Sequence, residues 1–309
     1  MFSIGKTLPK KLYVIGIIII FAAVYSQYFI KLGQVLGFLV VYGIPVAVVS
    51  LICGRQLLQK AGRNNKTAFK FGLGLFGALT VLSVIISIVA VAIILALDPQ
   101  AADLLTKLNP VLEVPPNVAW IMIAVSFLVV GPAEEYLFRG FMFGGLLNIS
   151  KGKHWLPLAV ASSLMFASVH AYYAVTYGAA SAVPFIALTT FSIAMSITFY
   201  WTGGNLLVPA IIHGAYDATG FLGVATTTNI GLAARGILIA IGIAFAVAYL
   251  PKKIRLVSPP PPLPSPPTSE TAHSQGTISC SYCRTSNSSS DNFCAKCGAP
   301  LRQKETETR

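Results

Sequence analysis

The chain has 309 residues, of which 55% are hydrophobic and only 10% charged, whereas a soluble globular domain carries roughly 25% charged residues. That balance excludes an ordinary water-soluble enzyme. The net charge of +12 would suit a nucleic-acid binder, but most of the basic residues sit in short segments flanking or connecting apolar runs, so no nucleic acid is expected as a partner and the charge is a topological signal.

Eight apolar runs follow one another, at about residues 12–30, 35–53, 71–97, 118–147, 155–171, 182–201, 206–225 and 231–250. Each is about 17 to 30 residues long, enough to cross roughly 30 Å of hydrocarbon as a helix. The first follows Lys6, Lys10 and Lys11, but it exceeds the about 7–15 residues of a signal-peptide apolar region and has no clear small-residue cleavage site, so it is expected to be a retained span. Arg55, Lys60, Arg63, Lys66 and Lys70 separate the second and third runs; Lys151 and Lys153 follow the fourth; Lys252, Lys253 and Arg255 follow the eighth. Alternate connections lack this bias: 98–116 sets Lys107 against Asp98, Asp103 and Glu113, and 171–182 has no basic residue. The expected class is an all-α polytopic membrane protein with about eight transmembrane helices, multi-pass in the cell membrane, with both termini cytoplasmic.

The fourth run contains Gly131-Pro-Ala-Glu134-Glu135-Tyr-Leu-Phe-Arg139. Pro132 removes a backbone donor and should kink the helix just before its charged residues. Charges at this depth can face only the bundle interior or a wet cavity. Glu135 and Arg139 are four apart with the acid first, so they meet on one face and neutralise each other. Glu134 points about 100° away, is expected to be unpaired, and suits a proton acceptor and donor. The fifth run ends in Phe166-Ala-Ser-Val-His170, which puts an aromatic ring one turn from an imidazole. Pro209 opens the seventh, where His213-Gly-Ala-Tyr-Asp217 places an imidazole and a carboxyl on one face and Gly214 permits close approach.

Taken together, Glu134-Glu135-x3-Arg139, Phe166-x3-His170 and His213-x3-Asp217, in this order on successive membrane helices, resemble the CPBP family of intramembrane proteases, which includes the type II CAAX prenyl endopeptidases and the bacteriocin-processing proteins. The resemblance covers about residues 117–220. It implies that Glu134 and His170 activate a water for attack on a peptide carbonyl, that His213 and Asp217 stabilise the oxyanion, and that Glu135 and Arg139 hold the site together. The family pattern permits asparagine or aspartate at the last position, and its prenyl proteases typically have asparagine. Asp217 donates to an oxyanion only when protonated. Ala174 stands where prenyl proteases of the family carry an asparagine, so the resemblance implies an intramembrane protease without implying a prenylated CAAX substrate. Two glutamates and two histidines are also a metal-ligand set, and with no HExxH helix in the chain the sequence leaves an active-site metal open.

Beyond the membrane segment, residues 1–256, a proline-rich and polar linker occupies 257–279 and contains a run, 258–269, that favours extended polyproline II. Cys280-Ser-Tyr-Cys283 and Cys294-Ala-Lys-Cys297 then form two CxxC pairs ten residues apart. Clustered cysteines in a reducing compartment are metal ligands before they are disulfides, and this spacing predicts a structural four-cysteine zinc ribbon over 280–301, followed by a charged tail at 302–309. Zinc enclosed by four thiolates has no open position for catalysis, so a folding or protein-docking role is expected. The sequence thus predicts a membrane-embedded endopeptidase acting on peptide or protein substrates in or near the bilayer. A non-proteolytic scaffold or receptor recruiting partners through the ribbon, or a proton-coupled transporter, are the competing expectations.

Overall fold

The computed structural model describes residues 8–30, 37, 39–53, 65–105, 110–254, 277–280, 284–289 and 301. Helix dominates them, in the order α1 (Lys10–Phe29), α2 (Ile44–Cys53, entered through a π-helical turn at Leu39–Gly43), α3 (Asn65–Leu97), α4 (Ala101–Leu105), α5 (Pro116–Ile149), α6 (Trp155–Ser168), α7 (Tyr172–Tyr177), α8 (Ala182–Trp201), α9 (Leu207–Thr226) and α10 (Ile230–Ile254). Among the described residues, five helical runs are long and apolar enough to cross a membrane: α3, α5, the run Tyr172–Trp201 formed by α7, a 3-10 turn and α8, then α9 and α10. Leu39–Cys53 and Trp155–Ser168 are apolar but shorter. The chain is therefore a polytopic, all-α membrane protein. Its outer surface agrees, since Ile85, Ile88, Val89 and Ile93 of α3 and Leu232, Ile237 and Val247 of α10 are exposed, a pattern that suits lipid rather than water.

Lipid tails give helices little hydrophobic reason to associate, so contact must come from close packing. Two helix crossings provide it. A Cβ on Gly77 of α3 would overlap the Gly242 backbone of α10, and one on Gly214 of α9 would lie 2.8 Å from the Ser126 carbonyl oxygen of α5. The second crossing is reciprocal, because a Cβ on Gly131 would lie 2.7 Å from the Ala210 carbonyl oxygen. It carries the site, since Gly131 is three residues before Glu134 and Gly214 adjoins His213. Behind it lies a core that includes Phe138, Phe141, Phe143, Phe166 and Phe199.

Two expectations change. The connection at 171–182 is largely helical, because Tyr173, Tyr177 and Ala180 form an apolar cluster packed by Leu104, Leu105 and Phe185. At Pro132, α5 continues but widens into π-helix at Ser126–Val130 and again at Glu135–Phe143. The Gly131 N–H bonds back to the Ser126 oxygen, and this wider turn relieves the clash that a proline ring makes with a carbonyl one α-turn earlier.

Met1–Leu263 and Pro264–Arg309 form two compact units. In the second, β1 (Thr277–Ser279) pairs antiparallel with β2 (Ser286–Ser288), with Ile278 opposite Asn287. This hairpin spans the end of the linker and the start of the segment 280–301. Cys280 follows β1 and is buried, whereas Cys283, Cys294, Cys297 and the proline-rich run lie outside the described residues.

Candidate active site

The π-helical second half of α5 begins with Glu135, and its wider turns carry Glu135 and Arg139 into the bundle interior. Both are fully buried. Arg139 Nη1 lies 3.0 Å from Glu135 Oε1, as the four-residue spacing predicts, and the guanidinium carbon sits 4.6 Å from the centroid of the Phe166 ring. The contact is nevertheless incomplete. Among the described residues, no N–H of Arg139 is aligned with an acceptor, and Glu135 Oε2 also lacks a partner. An ion pair so far from water depends on each partner being present, because either alone would be an uncompensated buried charge.

His213, on α9, completes the charge set. Its Nδ1 is 2.8 Å from Glu135 Oε1, so a single carboxylate oxygen faces both the guanidinium and the imidazole. The i,i+4 spacing instead makes Asp217 the natural partner of His213. Asp217 Oδ2 does lie 3.5 Å from His213 Nε2, but the short bond goes to Glu135, on another helix. Phe191 and Phe166 meet the imidazole edge-to-face, at 5.0 Å and 6.0 Å between ring centres, and fix its plane.

Glu134 is not unpaired. Its Oε1 accepts a hydrogen bond from the Tyr42 hydroxyl at 2.9 Å, and its Oε2 is 3.6 Å from His213 Nε2. Tyr42 is the residue that sequence reasoning misses: a tyrosine in an apolar run looks like a membrane-interface anchor, and nothing local marks the contact with α5. With Nδ1–H given to Glu135, the other nitrogen of His213 faces two carboxyl oxygens, an arrangement that needs a proton on that nitrogen or on one of the acids. His170 lies just beyond the end of α6, and its Nδ1 is 3.0 Å from the Phe166 carbonyl oxygen. A carbonyl only accepts, so Nδ1 carries the hydrogen and Nε2 is left as an acceptor.

Glu134, His170, His213 and Asp217 line one cavity of about 990 Å³, together with Tyr42. Glu135 and Arg139 stand behind that wall. The volume is at the upper end of the about 300–1,000 Å³ of ligand clefts. Most of the remaining lining is apolar or aromatic, which strengthens any charge interaction inside it. Among the described residues, no three His, Cys, Asp or Glu side chains are grouped to hold a metal ion.

A family model described as type II CAAX prenyl endopeptidase Rce1-like matches residues 116–219. The match runs from the start of α5 into α9 and contains all six site residues, Glu134, Glu135, Arg139, His170, His213 and Asp217. No curated protein and no solved structure matches the chain.

Proposed function

We propose that the chain is an intramembrane endopeptidase that hydrolyses peptide bonds of membrane-associated peptides or proteins with water activated by Glu134 and His170. The observation that carries this reading is the convergence of Glu134, His170, His213 and Asp217 on one cavity, with Glu135 clamping His213 from behind. Glu134 accepts a proton as the water oxygen adds to the peptide carbonyl carbon, while the acceptor nitrogen of His170 orients the other water hydrogen. The carbonyl oxygen becomes an oxyanion and is met by the Nε2–H of His213, whose ring is protonated on both nitrogens in this step, and by the protonated carboxyl of Asp217. Glu134 then returns its proton to the amide nitrogen as the C–N bond breaks. Glu135 takes no proton; it accepts from Nδ1–H, fixes the plane of His213 and supports its charge, and is itself paired with Arg139.

The same proposal has eight spans, with α1, the segment containing Leu39–Cys53, and α6 added to the five long runs, and both termini in the cytoplasm. The cavity wall includes Ile30, Leu104, Leu112, Tyr177 and Arg235, all near the ends of spans away from the basic clusters at 55–70, 151–153 and 252–255. In this orientation substrate and water enter from the side opposite the cytoplasm. The tail binds one structural zinc through Cys280, Cys283, Cys294 and Cys297, a reading supported by their spacing and by the hairpin whose two strands flank Cys280; metal analysis by mass spectrometry counts it.

Cleavage is tested with purified protein in detergent against membrane-tethered peptides, including one ending in a lipidated CAAX sequence as the matched family's description directs. Wild type is expected to release product and Glu134→Gln to release at least about a thousandfold less, the scale of losing a general base and the water it holds. Equal activity in the two proteins would sink the proposal.

A further inference from the structure

Arg235, near the start of α10, plays no part in the chemistry above. Among the described residues it is the only lysine or arginine in the cavity wall. We infer that Arg235 is a subsite for a carboxylate of the peptide substrate; the inference deepens the proteolytic reading and rests on it.

The guanidinium is held from one edge only. Its Nε donates to Thr219 Oγ1 at 2.9 Å, Nη2 lies 3.5 Å from the Tyr216 carbonyl oxygen, and its carbon is 4.5 Å from the centre of the Tyr216 ring. These contacts fix the plane through Nε and Nη2 and leave Nη1 without a protein partner among the described residues. No aspartate or glutamate among them forms an ion pair with it. An arginine at membrane depth with a free, pre-oriented edge calls for an anionic partner, and the fork of two N–H groups matches a carboxylate. Gly220 makes the seat: a Cβ there would lie 3.2 Å from Nη2 and 3.1 Å from Leu112 Cδ2, so a side chain would crowd the guanidinium.

Position gives the spacing. Thr219 and Gly220 are about two turns beyond His213 on α9, or roughly 10 Å along its axis. An extended peptide covers about 3.3 Å per residue, so a substrate whose scissile bond lies at His213 reaches Arg235 about three residues away. The carboxylate is either the end of the chain or an acidic side chain at that distance.

Both sources are tested on full-length Glu134→Gln protein in detergent, with a fluorescent ten-residue peptide whose last four residues are apolar. It is offered as the free acid, as the C-terminal amide, and as amides carrying one glutamate at each of the last four positions in turn. At least one carboxylate-bearing form is expected to bind tenfold or more tighter than the plain amide, and which one it is names the source. Arg235→Gln is expected to abolish that preference and leave amide binding unchanged; in the active protein it raises KM with kcat within about twofold. Arg235→Lys keeps the charge but loses the fork, so the preference falls at least threefold. It decides the matter if Arg235→Gln does not fold. A preference that survives both substitutions, or no preference in any form, overturns the inference. Carboxylate-dependent binding without Glu134-dependent cleavage would sink the proteolytic reading and leave the subsite standing, whereas cleavage indifferent to every carboxylate would do the reverse.

Discussion

Glu135 and Glu134 are adjacent in sequence and differ in everything that surrounds them. Glu135 Oε1 faces Arg139 at 3.0 Å and His213 at 2.8 Å with no exposure to solvent. Glu135→Gln leaves the guanidinium without its anion, and a loss of about 3–5 kcal/mol is expected, read as a lowered midpoint of thermal unfolding in detergent. Glu134→Gln keeps a carbonyl for the Tyr42 hydroxyl and gives up only the 3.6 Å contact with His213, which retains its 2.8 Å bond to Glu135, so it should melt close to wild type while inactive. Comparable melting of the two variants, with Glu135→Gln fully active, would reverse their roles. Asp217 presents a different choice. If it donates to the oxyanion it must carry a proton, and activity falls as pH rises and the carboxyl ionises. Asparagine donates at every pH, so Asp217→Asn is expected to remain active and to lose this alkaline limb, leaving only limbs due to other groups. A pH–rate profile of both proteins on one peptide reads the difference; a folded but inactive Asp217→Asn would show that the carboxylate is needed as an anion beside His213.

Among the elements, the crossing of α5 and α9 sets the distance between the two halves of the site. Gly214 lets the α9 backbone approach the Ser126 carbonyl and Phe127 Cα, both under 3 Å from where a Cβ would stand. Gly214→Ala must therefore push the helices apart or rotate one of them. Because Glu135 and His213 belong to different helices, even a shift near 1 Å breaks their bond, and a misplacement of that size costs about a hundredfold in rate. Cleavage is expected to fall by that order and the melting midpoint to drop. Gly236→Ala is the control, since nothing lies within 4 Å of a Cβ at that position; it should be silent or gain slightly from better helix propensity. Gly214 was visible in the sequence as a residue permitting close approach, but its partner was not. The same holds for Pro132: its missing donor predicts a disturbance in α5, but not that the helix answers by widening into π turns on both sides.

For the whole molecule, the orientation is open to a direct measurement. In a cysteine-free background, Lys153→Cys should react with an impermeant thiol reagent only after the membrane is opened from its cytoplasmic side, and Asp98→Cys should react from outside; both positions are exposed. The opposite pattern would invert the orientation and, with it, the side from which the cavity is entered. What the sequence determined by itself is of two kinds. Hydropathy sets the class, because a run of apolar residues must find a non-aqueous solvent whatever its neighbours are, and a polar backbone in lipid must close its hydrogen bonds as helix. Spacing sets the contacts within one helix, Glu135 with Arg139 and His213 beside Asp217, because residues four apart stay on one face in an α-helix and still do so in the wider π turns of α5. Tertiary structure decided the rest: that His213 bonds Glu135, 78 residues away in sequence, that Tyr42 reaches Glu134, and that Arg235 looks into the same cavity. Those contacts depend on how each helix is rotated about its axis and where it crosses the next. Both are fixed by side chains and glycines packing between segments far apart in the chain, where no local spacing records the answer.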